Sequence, residues 1–314
     1  MIPRRTWLNL PLATPALAAP ARAQERALRL VIAFPPGGST DILGRLIAPR
    51  MSDILGIQVT PENRSGASGA VGAGVVAQAA PDGSTLLLDS GGQAVNPHLM
   101  RGLGFDYATA FAPVTLLATL PLVLVVGADL GAQTLAALLA RLRAEGRPAA
   151  YGSVGIGART HLAMASLLRR AGLTGEHIPY RGGADQMTGL LRGDVAMGFT
   201  SMALAAPLLR EGRILALGYS LPGRAPSIAE QGFPGFAIGD WLALLAPAGT
   251  PPAAIARLAA AAADAVNQPA LRPRLADLGL EPAAAGPNAL AGFLAAERAA
   301  MGALIAAEGI RLDG

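Results

Sequence analysis

The chain has 314 residues, 52% of them hydrophobic and 15% charged, enough for a large core and more than one domain. It has no cysteine, and all 25 basic residues are arginine, which excludes disulfides, thiolate chemistry, Schiff-base lysines and the phosphate-binding lysine of P-loops and kinases. The formal charge of +4 is spread over scattered arginines with only 4% aromatic residues, so no basic stripe with stacking side chains offers a nucleic-acid surface.

Residues 1–23 read as an export signal. Arg4 and Arg5 form a charged start, Trp7–Ala19 is apolar, and Ala21-Arg22-Ala23 is a small-residue cleavage site before Gln24. Pro11, Pro15 and Pro20 disfavour an ordered helix there, and "RRTWL" carries a faint twin-arginine pattern. Its removal takes away three arginines and no acid, lowering the net charge from +4 to +1. The expected location is the periplasm, with cleavage after Ala23.

Next comes a strand over Leu28–Phe34, then the turn-rich "FPPGGSTD" and a helix over Asp41–Leu55 stopped by Gly56. A strand Ile57–Thr60, a helix Ala70–Ala80, a Pro-Asp-Gly turn at 81–83 and a strand Thr85–Asp89 follow. Tyr107–Ala128 is uncharged and long enough to imitate a membrane span. Pro113 and Pro121 divide it, so two buried strands, Val114–Ala118 and Leu122–Val126, explain it better, and the mature chain is expected to be soluble.

Beyond it the pattern predicts a helix Leu135–Glu145, a strand Ala149–Gly152, a helix Thr160–Ala171, a strand His177–Tyr180 and a helix Ala184–Leu191. Strands Val195–Phe199, Ile214–Tyr219 and Trp241–Ala246 complete the set, and helices Pro252–Val266 and Asn288–Ala307 close the chain. Short strands separated by helices imply an α/β fold of mostly parallel sheets with helices on both faces. Because only helices follow the last strand, one domain is expected to be discontinuous. It comprises 24–125 with 240–314, and 126–239 forms an inserted second lobe; strands near Leu124–Val126 and Ile238–Leu242 make a two-strand hinge.

In open α/β sheets, ligands sit beyond the carboxyl ends of strands, where helix N-termini direct unpaired N–H groups. Five strand ends here carry glycines and hydroxyls at such positions: "FPPGGSTD", "DSGG" at 89–92, "YGSVGIGARTH" at 151–161, "PYRGGADQ" at 179–186, and Phe199-Thr200-Ser201. Singly, each is an ordinary capped turn; together, with members in each lobe, they describe a clamshell around an anion. His98 and His177 read as structural, and no two histidines have metal-ligand spacing. "DSGG" resembles a serine-protease segment, but Ser90 precedes every histidine and no G-x-S-x-G elbow exists. Gly72-x-Gly74-x-x-Ala77 matches a dinucleotide fingerprint only inside a helix-like run.

The stretch "IAFPPGGSTDILGRLIAPRMSDILGIQVTPENRSGASGAVGAGVVAQAAPDGSTLLL" resembles the Bug-type solute receptors of tripartite tricarboxylate transporters. "YGSVGIGARTHLA", "IPYRGGADQMTGLLRGDV" and "WLALLAPAGTPPAAIARL" continue the likeness in order over nearly all the mature chain. The resemblance implies a two-lobed periplasmic-binding-protein type II fold, and a receptor without catalysis, cofactor or metal. It also implies that a small carboxylate is held largely by backbone amides and passed to a membrane permease of one large and one small subunit. The family pattern carries over to Pro35, Gly37, Gly38, Asp41 and Ser90 in one lobe, and to Ser153, Gly155, Thr160 and His161 in the other. Phe34, Thr40, Gly91, Ala158, Arg159 and Thr200 complete the expected contact set of a monomeric receptor. The chain departs from the family at Ala158, at Arg159 and at Thr200-Ser201, where Asp-Asn is common. Arg159 is expected either to lie in solvent or to grip a second carboxylate. The alternatives are a ligand sensor feeding a signalling partner, and a hydrolase using Ser90 or Ser153 with His161.

Overall fold

The computed structural model describes residues 27–311, so the export segment lies outside the described residues. The first sheet has six strands in the order β11-β4-β10-β3-β1-β2. These are β1 Leu28–Ile32, β2 Val59–Asn63, β3 Thr85–Asp89, β4 Phe111–Leu120, β10 Asp240–Pro247 and β11 Glu281–Ala285. The second sheet has five, in the order β7-β6-β8-β5-β9: β5 Leu122–Gly127, β6 Ala149–Ser153, β7 Gly175–Pro179, β8 Met197–Ser201 and β9 Ile214–Tyr219. Around the first sheet lie α1 Ser39–Leu55, α2 Ala70–Ala77, α3 Gly92–Leu99, α8 Pro252–Val266, the short α9 Arg272–Asp277 and α10 Pro287–Glu308. Around the second lie α4 Leu135–Glu145, α5 Arg159–Arg170, α6 Gly183–Arg192 and α7 Met202–Arg210.

The central strands of both sheets are buried on both faces, which is why they read as continuous apolar runs. Leu28, Leu30 and Ile32 of β1 pack into one cluster with α1 and α8, while Val31 faces another with α2 and α10. In β5, Leu122, Leu124 and Val126 point one way and Val123 and Val125 the other. The uncharged 107–128 run is therefore β4 and β5, divided at Pro121. Each fully buried leucine or valine contributes roughly 1.5–3 kcal/mol.

Three expectations need correction. The sheets are mixed, not mostly parallel: β1–β2, β1–β3, β6–β7 and β6–β8 are parallel, but β4, β5, β9, β10 and β11 all pair antiparallel. The reason is the crossing itself. One nearly continuous strand runs through both sheets as β4 and β5, and β10 returns beside β4 in the opposite direction. The first crossing is accordingly at Pro121, and Leu124–Val126 lies within the second sheet, paired with β8 and β9. Thirdly, β10 is not the last strand. β11 joins β4 at the sheet edge with an irregular register, and its Glu-Pro-Ala-Ala-Ala sequence lacks any β-branched signal.

The second crossing runs from β9 to β10 and is tied to the first. Ser220 donates its amide to the Leu122 carbonyl at 2.8 Å, and its Oγ accepts the Leu122 amide at 2.9 Å. Ile238 then donates to the Ser220 carbonyl at 3.3 Å, just before the chain enters the first sheet.

Candidate functional site

The strand ends converge between the lobes. A side-chain carbon placed on Gly182, ahead of α6, would stand 3.6 Å from Pro35 in the loop after β1. Ser68 Oγ donates to the Ile156 carbonyl across the cleft at 3.0 Å. The structure is therefore a closed clamshell, with the β1–α1 loop facing the β7–α6 loop and the 66–69 loop facing the β6–α5 loop.

In the first loop, Asp41 works inward. Its carboxylate accepts the Gly37 amide at 2.9 Å, Arg45 Nε at 2.9 Å and Asn63 Nδ2 at 2.9 Å. Asn63 also donates to the Phe34 carbonyl at 3.0 Å. Gly37 has φ 83°, a left-handed conformation that favours glycine, and this turns the loop onto α1. The amides of Gly38, Ser39 and Thr40 have no partner among the described residues, as helix geometry requires at an uncapped N-terminus.

The facing loop follows the same plan. Ser153 is fully buried; its Oγ accepts the Gly155 amide at 3.1 Å and lies 2.6 Å from His177 Nε2. Thr160 Oγ1 accepts the Val154 amide at 3.1 Å, and His161 Nδ1 accepts the Gly157 amide at 3.0 Å. Gly155, at φ 136°, stands in a region that favours glycine, with room around it for a side-chain carbon. Ala158, the residue before α5, donates its amide to the Gly155 carbonyl at 3.2 Å. The amides of Ile156, Arg159 and Thr160 have no partner among the described residues. In both loops the expected polar side chains shape the backbone, and the backbone offers the donors.

His161 and His177 stack with ring centroids 3.7 Å apart, and Tyr151 stacks on His177 at 5.2 Å. Burial and the neighbouring His177 push His161 down to about 3, and burial pushes His177 down to about 4. Both rings are neutral spacers. Ser153 is paired with His177 and not with His161, and neither Ser153 nor Ser90 hydrogen-bonds His161. The hydrolase arrangement is not formed.

Arg159 corrects its expectation most sharply. It is 4% exposed, and its Nη2 is bound to Glu297 Oε2 on α10, with Nη1 against Met301 Sδ. Glu297 Oε2 also accepts Trp241 Nε1 at 2.8 Å. The arginine does not lie in solvent, because α10 of the other lobe passes behind α5 and supplies the acid that its fork engages. Its stem covers Gly91, where an added side-chain carbon would stand 2.6 Å from Arg159 Cγ.

At the β3 end, Gly91 donates its amide to Asp240 Oδ1 at 3.0 Å, and Ser90 donates its amide to Asp89 Oδ1 at 2.8 Å. Asp89 is fully buried, and burial holds its carboxyl up at about 7, opposed by the Ser90 amide and Gln93. Thr200 Oγ1 and Ser201 Oγ, at the β8 end, are buried with no hydrogen-bond partner among the described residues.

Sequence reasoning missed Asp240, Glu297 and the 66–69 loop as parts of this region, while Asp89 and Gly182 lie within two of the strand-end segments it picked out. The 66–69 loop had a usable signal, since Gly66-x-x-Gly69 stands between a strand and a helix like the other strand ends.

Comparisons with known proteins agree with this geometry. The family model described as tripartite tricarboxylate transporter family receptor matches residues 43–310. BugT of Bordetella pertussis is 34% identical over 91% of this chain and 91% of its own length. A Pseudomonas sp. P51 protein described by its place between tcbD and tcbE is 35% identical over 87% of this chain and 83% of its own. Among solved structures, Rpa4515 of R. palustris with adipate superposes with a TM-score of 0.87 at 31% identity, covering 92% of this chain and 99% of that one. MatC of Rhodopseudomonas palustris with bound malate gives 0.82 at 30% identity, covering 90% and 99%. This chain belongs to the tripartite tricarboxylate transporter receptor family.

Proposed function

We propose that the chain is a periplasmic receptor that captures a small dicarboxylate between α1 and α5 and delivers it to a two-subunit permease of the tripartite tricarboxylate type. One observation carries this reading: the uncapped N-termini of α1 and α5 leave unpaired amides in two loops, one from each lobe, that both take part in the contact between the lobes. Helix N-termini favour anions through both their free N–H groups and the macrodipole. The adipate and malate of two relatives, both dicarboxylates, support the ligand class. The receptor acts as a monomer, without catalysis.

Isothermal calorimetry against mono-, di- and tricarboxylates tests the class, with one-to-one binding of a four- to six-carbon dicarboxylate as the expected result. Ser39→Pro tests the site. Proline is tolerated at the first helical position, and Gly38, at φ −79° and ψ 167°, already has the extended backbone that precedes proline. The substitution removes one amide donor and leaves the helix standing. A charge-assisted hydrogen bond is worth roughly 1.5–3 kcal/mol, so affinity should fall about ten- to a hundredfold. Unchanged affinity would remove α1 from the site. We further propose that export cleaves the chain after Ala23; the intact mass of periplasmic protein should begin at Gln24, and a retained N-terminus would refute this.

A further inference from the structure

Ala67 and Ser68 both stand in the left-handed region, at φ 46° and 48°, although neither is glycine. Such a conformation costs on the order of 1–3 kcal/mol per residue and persists only where its surroundings impose it. Here the first lobe imposes it from beneath. The Ser68 carbonyl accepts Asn96 Nδ2 at 3.1 Å, and Asn96 is itself anchored to Tyr107 Oη at 2.8 Å. The same carbonyl lies against Gly92, where an added side-chain carbon would stand 2.6 Å from it. Gly69 donates back to the Gly66 carbonyl at 3.0 Å and closes the turn. The peptide is fixed, and the serine side chain is held out toward the opposite lobe.

There Ser68 Oγ meets the Ile156 carbonyl at 3.0 Å and lies 3.6 Å from where a side-chain carbon on Gly155 would stand. The Ile156 carbonyl and the Gly157 amide share one peptide plane. That plane is held from its own lobe by His161, which accepts the Gly157 amide at 3.0 Å. Ser68 holds it from the other lobe. The next peptide toward the N-terminus presents the unpaired Ile156 amide, one of the donors described above.

We propose that Ser68 is the latch of the closed cleft: its hydroxyl pins the Ile156–Gly157 peptide across the lobes and slows escape of the bound solute. The inference rests on the receptor reading. Ser68 is a positioning residue that acts through Ile156. Its cross-lobe bond exists only when the lobes meet, so it stabilises the closed state alone and governs release, not capture.

Malate and adipate serve as probes for stopped-flow binding to the wild type, Ser68→Ala and Ser68→Gly. Both variants lack the hydroxyl, so dissociation should quicken about three- to tenfold in each, the range of an ordinary net hydrogen bond, with association unchanged within twofold. Without ligand, Ser68→Gly should melt above Ser68→Ala, because glycine relieves the left-handed strain. A purely structural loop residue would instead change association and ligand-free melting together. Dissociation within 1.5-fold of wild type (about the error of such a measurement, well under one hydrogen bond) in both variants would overturn the latch. If neither probe binds the wild type, the dicarboxylate reading fails separately, and the latch is tested without solute. The chain has no cysteine, so a folded Ser68→Cys/Gly155→Cys variant should form one disulfide under mild oxidation. A folded pair that stays reduced would overturn the proposal.

Discussion

Glu297→Gln should cost about 3 kcal/mol of stability and lower the thermal midpoint by roughly 5 °C for a chain of this size. The substitution leaves Arg159 almost fully buried between the lobes without its ion-pair partner. Breaking a buried pair by removing one member commonly costs about 3–5 kcal/mol, because the remaining charge is neither hydrated nor neutralised. The lower end applies here, since Glu297 is partly exposed and Asp240 also faces the guanidinium. Arg159→Met in the same background should recover most of the loss, because a thioether fills the slot against Met301 and Gly91 without a charge. Scanning calorimetry of the two single variants and the double variant checks this. A Glu297→Gln midpoint within about 2 °C of wild type, a loss under roughly 1 kcal/mol, would show that the pair contributes little.

The stacked histidines should make the protein lose stability as the pH falls from 6.5 toward 4. In the unfolded chain both titrate near 6.5, whereas in the fold His161 sits near 3 and His177 near 4. The unfolded state therefore binds more protons throughout that window. Stability is fully present above 6.5, declines on acidification by on the order of several kcal/mol, and levels off once the folded rings also charge. Asp89 works in the opposite sense: its folded carboxyl sits near 7 against an ordinary 3.8, so its contribution grows on acidification and blunts the fall. His161→Asn/His177→Gln separates the two. Asparagine keeps an acceptor for the Gly157 amide, glutamine keeps a polar partner for Ser153, and neither titrates. Chemical denaturation between pH 4 and 8 should show a markedly flatter acid limb in this variant. Parallel limbs for variant and wild type would remove the histidine pair from the account.

The strand ends were legible because glycine, proline and capping hydroxyls leave a local signature at each one, and Gly37, Gly38, Gly155 and Thr160 stand where that signature put them. What those residues do was less visible. Asp41, Thr160 and His161 look like ligand contacts in sequence, yet in the fold they accept their own loops' amides. Arg159 was misread for a different reason. Its partner Glu297 lies 138 residues later on a helix whose packing against α5 has no local trace. The antiparallel strands share that cause, since direction within a sheet depends on which lobe the chain has just left. β11 escaped notice because alanine and proline carry no strand propensity.

The position of β10 also orders the birth of the molecule. β10 lies between β3 and β4 and pairs with both, yet it is encoded some 120 residues after β4. A chain emerging from the ribosome N-terminus first thus offers β1, β2 and β3 as one ribbon and β4 as another, with a vacant slot between them. All five strands of the second sheet are already out by Tyr219, so that lobe can condense while the first remains in two halves. Only when residues 240–247 arrive can the halves be riveted together, and α10 with Glu297 follows later still. The first lobe is thus kept from closing early by strand order alone, and its last central strand is the one that completes it.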